Sequence, residues 1–464
     1  MKIIGLLALL LLTSCTLPDT ALWNERSTAK SIRMPAEGIT KIMVHGSLVS
    51  LVRNPFSSTR KGLWMMKNRT EIAVSKLVEI NAVDERYRSS HDIEDLLDKM
   101  DMPQRVGGNL DYLIDGKSFF RALDKSIVNA KSTIDVRVFI YDNDEVAVNI
   151  SNQLKARSRE VRCRVMMDEL GSLSSWWDQP DYASKSFTPP SSMPHFLRKN
   201  SKIQVRESKN PWLIADHSKA IIFDQKEAYL GGMNIGTEYL HDWHDMMFRI
   251  TGPAVVAIQN DFNHAWRLQG GFGDWAYPLL RNKRYRKEIE SSEIGIRILK
   301  TAPGRQEIHD SILAAIRMAK KRVYIQNSYF TTDALADELV RAEKRGVDVR
   351  MVFPLDNDSG LLAQSNLGFA KQLIDSGASV YAYPKFTHVK AIVVDDWVCI
   401  GSANYDGLSM RINNETNIAF THKQKSAELV QKLFRKDFKV SKLLTKKDSK
   451  DWTTPVLEPL IDQL

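Results

Sequence analysis

The period of apolar and polar positions changes several times along this chain, and the changes recur in the same order twice. Phe119 to Ala130 carries apolar residues at helical spacing, and Thr133-Ile134-Asp135-Val136-Arg137-Val138-Phe139-Ile140-Tyr141 follows as a strand-like run. Farther on, Ile308 to Ala319 places Ile312, Ala315, Ile316 and Ala319 on one helical face, and Val323 to Phe330 follows as a strand. In each case a second helical stretch leads into another strand, Val161 to Met167 and then Val347 to Phe353. Helices and strands alternating in this way predict an α/β fold of two repeated sandwich halves, each a mixed sheet flanked by helices, forming a pseudo-dimer with one shared active site. The halves are expected over 106–268 and 294–445. A linker over 269–293 separates them, where Gly270, Gly271 and Gly273 precede the basic run Arg281 to Lys287. Residues 15–105 read as a tether and variable cap, and 446–464 as a tail.

The first residues break this pattern. Lys2 precedes an unbroken apolar run from Ile3 to Leu12, half of what a bilayer span requires but suited to the core of a signal peptide over 1–14. Leu12-Thr13-Ser14-Cys15 resembles a bacterial lipobox, which implies lipidation at Cys15 and attachment to a bacterial membrane through a lipid anchor. Thr16 stands where the resemblance to inner-membrane lipoproteins would call for Asp, so the expected location is the outer membrane, facing the periplasm. Cys163 and Cys399 each sit in an apolar alternating stretch and read as buried strand thiols rather than a disulfide. A formal charge of +9 favours anionic partners, lipid surfaces or nucleic acid, without choosing between them.

Chemistry enters through two matching strings. His217-Ser218-Lys219 runs to Asp224 and on to Gly231-Gly232-Met233-Asn234, and His388-Val389-Lys390 runs to Asp395 and on to Gly401-Ser402-Ala403-Asn404. Each predicts a β-hairpin, with Gln225-Lys226-Glu227 and Asp396-Trp397 as the turns. In a strand, residues two apart share a face, so each His projects beside its Lys, and each return strand brings Asn234 or Asn404 back toward them. Two imidazoles, two ammonium groups and two carboxamides converging on one point suit a phosphodiester. Lys219, Lys390, Asn234 and Asn404 would hold the non-bridging oxygens, one neutral imidazole would attack phosphorus and the other, protonated, would serve the leaving alkoxide. No metal or other cofactor is required. Asp224 and Asp395 complete the motifs, but each falls on the opposite strand face from its His and reads as a structural holder of the hairpin.

These residues resemble the phospholipase D superfamily from about Gly116 to Ser441, and bacterial cardiolipin synthases most of all. Gly231 to Leu240, Asn327-Ser328-Tyr329-Phe330, Arg345 to Arg350 and Phe434-Arg435-Lys436-Asp437 with Ser441 carry that likeness. The resemblance implies that His217 is the nucleophile and His388 the general acid. It also implies that Glu415 supports His217 and Asp245 supports His388, each acid lying downstream of the opposite motif. Leu408 stands where cardiolipin synthases carry Arg, and the lipobox-like segment stands where they carry amino-terminal transmembrane helices.

His241 and His244 flank Trp243 without further ligands at a metal-site spacing, and read as surface or core histidines. The stretch from Trp176 to Phe196, rich in aromatics and prolines, is either a loop that meets lipid or a cap folded on its own domain. The expected substrate is a phospholipid rather than a nucleic acid, and the expected protein a monomer. Three activities share the covalent step: a phosphatidyltransferase, a phospholipase D that uses water, and a periplasmic nuclease or other phosphodiesterase.

Overall fold

The computed structural model describes residues 46–75, 87, 89–173, 186–270, 294–355, 360–450 and 452. The lipobox-like segment with Cys15, the aromatic residues from Trp176 to Tyr182, the basic run from Arg281 and the tail beyond residue 452 lie outside them. Among the described residues no helix is long and apolar enough to cross a membrane.

The first half contributes seven strands: β1 (Val106–Ile114), β2 (Thr133–Val138), β3 (Arg162–Asp168), β4 (Gln204–Ser208), β5 (Ala220–Phe223), β6 (Glu227–Gly231) and β7 (Met246–Thr251). The second repeats them as β8 (Ile294–Ala302), β10 (Arg322–Gln326), β11 (Asp348–Pro354), β12 (Ser379–Tyr383), β13 (Ala391–Val394), β14 (Trp397–Gly401) and β15 (Glu415–Thr421), with two short additions, β9 (Arg305–Gln306) and β16 (Lys442–Leu443). Hydrogen bonding runs β4-β3-β2-β5-β6-β7-β1 in one half and β12-β11-β10-β13-β14-β15-β8 in the other, and the halves join where β1 pairs antiparallel with β8. In each half the βαβ crossovers give three parallel strands and the hairpins give the antiparallel remainder.

Amphipathic patterning explains the layers. Phe119, Phe120, Leu123 and Ile127 of the helix Gly116–Asn129 pack on Ile134, Val136 and Val138, the alternate residues of β2, to form the outer core of the first half. Ile308, Ile312, Ala315 and Ile316 do the same against Val323 and Ile325 in the second. The inner faces of the two sheets meet in a third cluster, where Leu110, Ile222, Leu230, Phe248 and Ile250 share one core with Val389, Val393, Val398, Ile418 and Phe420. Cys163 and Cys399 are buried and free, one in each outer core, and burial pushes both thiols up to about 12.

The two charged residues on the polar face of β2 are paired rather than solvated. Asp135 takes two hydrogen bonds from Arg164 at 2.7 and 2.6 Å, and Arg137 donates to both Asp216 and Asp261. An uncompensated charge in this layer would cost several kcal/mol, on the order of 3–5, so the pairs must form for the sheets to close.

The two motif hairpins differ where their lengths differ. Phe223 pairs with Glu227 across a three-residue turn, whereas Val394 pairs with Trp397 across two residues. Both turns therefore keep the expected length but start one residue earlier, because Asp224 and Asp395 belong to the turns and Glu227 and Trp397 already belong to the return strands. Asp224 and Asp395 take positive φ, 52° and 53°, and turn their carboxylates back onto the chain. Asp224 accepts the backbone N–H groups of Lys131, Ser132 and Thr133; Asp395 accepts those of Lys320, Lys321 and Arg322. Each motif aspartate thus pins its hairpin to the start of the neighbouring strand, β2 or β10.

Candidate active site

His217 and Lys219 lie in the extended segment that becomes β5, and His388 and Lys390 in the segment that becomes β13. All four are buried. What fixes them comes from the opposite half. The His217 N–H donates to Asn414 O at 2.9 Å and the Asn414 N–H to Ala215 O at 2.9 Å; on the other side the His388 N–H donates to His244 O at 2.7 Å and the His244 N–H to Phe386 O at 3.2 Å. These two short bridges place the following residues, Glu415 and Asp245, against the imidazoles. His217 Nδ1 lies 2.8 Å from Glu415 Oε1, and His388 Nδ1 lies 2.7 Å from Asp245 Oδ2. A carboxylate at Nδ1 fixes that nitrogen as the protonated one and turns Nε2 toward the centre.

Each carboxylate is held in its own way. Ser402 Oγ donates to Glu415 Oε2 at 2.6 Å. The corresponding position is Gly232, where a Cβ would stand 2.3 Å from Asp245 Oδ1, and Asp245 instead takes its own chain's Met246 N–H. The Gly-Gly and Gly-Ser variants of the repeated string are therefore two ways of seating an acid.

The lysines fold back on their motifs: Lys219 Nζ donates to His217 O at 2.7 Å and Lys390 Nζ to His388 O at 2.8 Å. Packing this much positive charge in a buried site shifts the equilibria. Burial brings the Lys219 ammonium down to about 7, with Lys390 adding to the effect and Glu415 opposing it. Burial also lowers His217, against the pull of Glu415, and lowers His388 further, with Lys390, Lys219 and His217 all acting in the same sense. Asp245 moves the other way, raised to about 7 by burial although Lys390 resists. Burial thus disfavours the charged forms of both imidazoles and of Asp245.

The surroundings of the two imidazoles are unequal. Phe139 meets His217 edge-on at 4.8 Å, whereas Trp243, Tyr239 and Phe386 ring His388 at 5.1, 6.0 and 6.0 Å. Asn234 does not hold the place expected of it. Asn234 Oδ1 accepts from the Phe139 and Ile140 N–H groups and its Nδ2 donates to the Tyr239 hydroxyl, so its amide is used to shape the turn after β2. Asn404 is buried beside Asp406, and its Oδ1 has no hydrogen-bond partner among the described residues. Asp224 and Asp395, at the far ends of the hairpins, do not join the cluster.

His244 is the residue whose surroundings the sequence concealed. It is buried, with Asp115 Oδ1 at 2.6 Å from Nδ1, Asp437 Oδ2 at 2.9 Å from Nε2, and Tyr383 stacked on the ring at 4.8 Å. Burial works against its charge, but the two carboxylates overcome this and push its pKa up to about 10. His241, by contrast, is exposed. The His-Asp spacing of His244-Asp245 offered a signal, but the partners lie 129 and 193 residues away. Among the described residues, Asp142, Asp144 and Glu238 form the one carboxylate group spaced to hold a metal ion, and Asp144 also caps a helix through the Ala147 N–H.

A two-half α/β sheet with one crossed pair of carboxylate-supported histidines defines a phospholipase D-type protein, and the comparisons agree. The family model described as "Cardiolipin synthase, PLD-like domain" matches residues 123–266 and 312–438. A cardiolipin synthase of Staphylococcus aureus strain Mu50 is 32% identical over 359 residues, covering 73% of this chain and 69% of the relative. The major cardiolipin synthase of Bacillus subtilis strain 168 is 29% identical over 415 residues, 83% of each chain. Among solved structures, a phosphatidylserine synthase of Haemophilus influenzae aligns with a TM-score of 0.61 at 14% identity, over 81% of this chain and 96% of that one, which shows a common fold. The chain belongs to the phospholipase D-like cardiolipin synthase family.

Two outcomes follow from the site's electrostatics. Lys219 must be cationic to receive an anionic phosphodiester, so kcat/KM should fall as pH rises through about 7, while the alkaline limb of kcat lies higher because bound substrate restores the ammonium; steady-state rates between pH 5 and 9 read both. A single coincident limb in both parameters would contradict this. His244 has a folded value above its unfolded one, near 6.5, so its contribution to stability is complete below about 6.5 and is lost as pH rises through about 10. Urea unfolding of the wild type should show that decline, and His244→Gln should flatten it.

Proposed function

We propose that this protein is a phosphatidyltransferase of cardiolipin synthase type, acting on phospholipid phosphodiesters through a phosphohistidine. The observation that carries the reading is the crossed pairing at the site: each imidazole is held at Nδ1 by a carboxylate of the other half, which leaves Nε2 of each ring as the nitrogen for phosphoryl chemistry.

In the first step His217 Nε2 attacks phosphorus and a P–N bond forms. The bond from phosphorus to the leaving glycerol oxygen breaks, and that oxygen takes the proton of the Asp245–His388 pair. In the second step the hydroxyl of another phosphatidylglycerol gives its proton to His388, its oxygen attacks phosphorus and the P–N bond breaks. Lys219 and Lys390 supply the charge that meets the non-bridging oxygens, and in a site this dry each ammonium stabilises the transition state far more than it would in water. Asn404 Oδ1 is an acceptor, so it suits a glycerol hydroxyl better than a phosphate oxygen. Three aromatic side chains around His388 make that side of the site apolar, which favours transfer over hydrolysis.

The reading extends to a lipid-anchored monomer at the outer membrane, facing the periplasm and acylated at Cys15; the lipobox-like Leu12-Thr13-Ser14-Cys15 and Thr16 support the anchor and its location. The test is incubation of the detergent-solubilised protein with phosphatidylglycerol and identification of products by mass. Cardiolipin with glycerol is expected. Phosphatidic acid as the main product would reassign the protein as a hydrolase, and no turnover of any phospholipid would overturn the lipid reading.

A further inference from the structure

The ring of His244 ties together segments far apart in the chain. Its Nδ1 faces Asp115 Oδ1 at 2.6 Å, at the start of the helix Gly116–Asn129, and its Nε2 faces Asp437 Oδ2 at 2.9 Å on the helix Arg435–Val440. An ionised carboxylate accepts and does not donate, so an imidazole that meets one at each nitrogen carries a proton on both and is a cation. Tyr383 of β12 covers the ring face at 4.8 Å, within 13° of parallel. Burial opposes the charge, and the two carboxylates outweigh it.

The backbone of the same residue holds one side of the active site. His244 O accepts the His388 N–H at 2.7 Å and the Thr387 hydroxyl at 3.4 Å, and the His244 N–H donates to Phe386 O at 3.2 Å. Asp115, which grips the ring through its carboxylate, also donates its own N–H to Asp245 O at 2.9 Å, and does so at a φ of 63°, which non-glycine residues rarely adopt. Asp245 in turn places Oδ2 2.7 Å from His388 Nδ1. The other half makes the same bridge with a neutral residue: Asn414 takes the His217 N–H, gives its own N–H to Ala215 O, and returns its amide to Ala215 O at 3.3 Å. A bridge of this kind therefore forms without a charge, and the imidazolium at His244 answers to something else.

We infer that His244 is a positioning residue for the general acid: clamped between Asp115 and Asp437, it fixes the segment that seats Asp245 on His388. The inference rests on the function proposed above, in which His388 protonates the departing glycerol oxygen. Its charge acts in the same direction as its geometry. Burial raises Asp245, and the His244 imidazolium is one of the cations that oppose this, after Lys390 and Lys219. An ionised carboxylate at Nδ1 orients the His388 ring and stabilises its protonated form, which is what an acid for the leaving oxygen requires.

The test compares a leaving group that needs an acid with one that does not. Phosphatidylglycerol expels an alkoxide, which takes a proton as the P–O bond breaks, whereas the p-nitrophenyl ester of phosphatidic acid expels p-nitrophenolate, which departs as the anion. Single-turnover rates of the first step are measured on both esters for the full chain in detergent and for His388→Gln, His244→Gln, His244→Arg and Asp437→Asn, with thermal melts to show that each is folded. His388→Gln should slow phosphatidylglycerol by roughly a hundredfold or more and the activated ester only a few-fold. His244→Gln should show the same selectivity, losing on the order of tenfold or more on phosphatidylglycerol alone. His244→Arg, whose guanidinium serves both carboxylates, should recover most of that loss. Asp437→Asn, which keeps the ring and removes the buried side of its clamp, should fall in the same selective way, and it decides by the same criterion if His244→Gln does not fold. Equal losses on the two esters, or no loss on either, would make His244 merely structural and overturn the inference. Equal losses in His388→Gln would instead take the acid from His388, overturning the proposed mechanism and this inference with it.

Discussion

A buried carboxylate must find a cation or a hydrogen-bond donor, and in this protein each of the two central acids finds its imidazole in the other half of the chain. Glu415 and Asp245 are fully buried, and their partners His217 and His388 lie 198 and 143 residues away. Parting the halves would strand two acids at a cost of several kcal/mol each. The same contacts that complete the site therefore also fasten the pseudo-dimer. The apolar layer of Phe248, Ile250, Ile418 and Phe420 supplies the bulk of the attraction between the sheets, but it is non-directional. The crossed pairs set the register in which the two sheets meet.

Their consequence is an electrostatic division of labour between halves built from one repeat. Among the described residues one aromatic ring, Phe139, meets His217, and its glutamate is locked by Ser402, which suits the base the proposed function makes of it. His388 stands among three aromatic rings and against an aspartate that burial raises to about 7. The chain before Asp245 carries the His244 imidazolium between Asp115 and Asp437, whereas the chain before Glu415 carries neutral Asn414 at the equivalent bridge. Symmetry in the backbone with asymmetry in the charges is what lets one site hold a base and an acid together.

Much of this was legible in the sequence because it depends on short-range regularities. The helix and strand of each repeat follow from spacing, the observed strands Thr133–Val138 and Arg322–Gln326 being shorter than the runs that announced them. The hairpins follow from the motifs, and the placement of Asp245 and Glu415 follows from family likeness. Hidden were interactions that no local pattern encodes. Asn234 stands in the same string as Asn404, but whether an amide faces substrate or closes a turn depends on where the Phe139 and Ile140 N–H groups end up. His244 looked like one of a pair with His241, and only the closing of β1 and the C-terminal helix upon it, bringing Asp115 and Asp437, makes it a fixed cation.

The central claim is that the crossed pairs make His217 the nucleophile and His388 the acid. The direct measurement is rapid acid-free quenching of the protein during turnover of phosphatidylglycerol labelled in its phosphate, followed by peptide mapping of the bound label. The account predicts a phosphatidyl adduct on the peptide that carries His217, absent from His217→Ala. Label on the peptide carrying His388, or adduct formation that survives in His217→Ala, would contradict it.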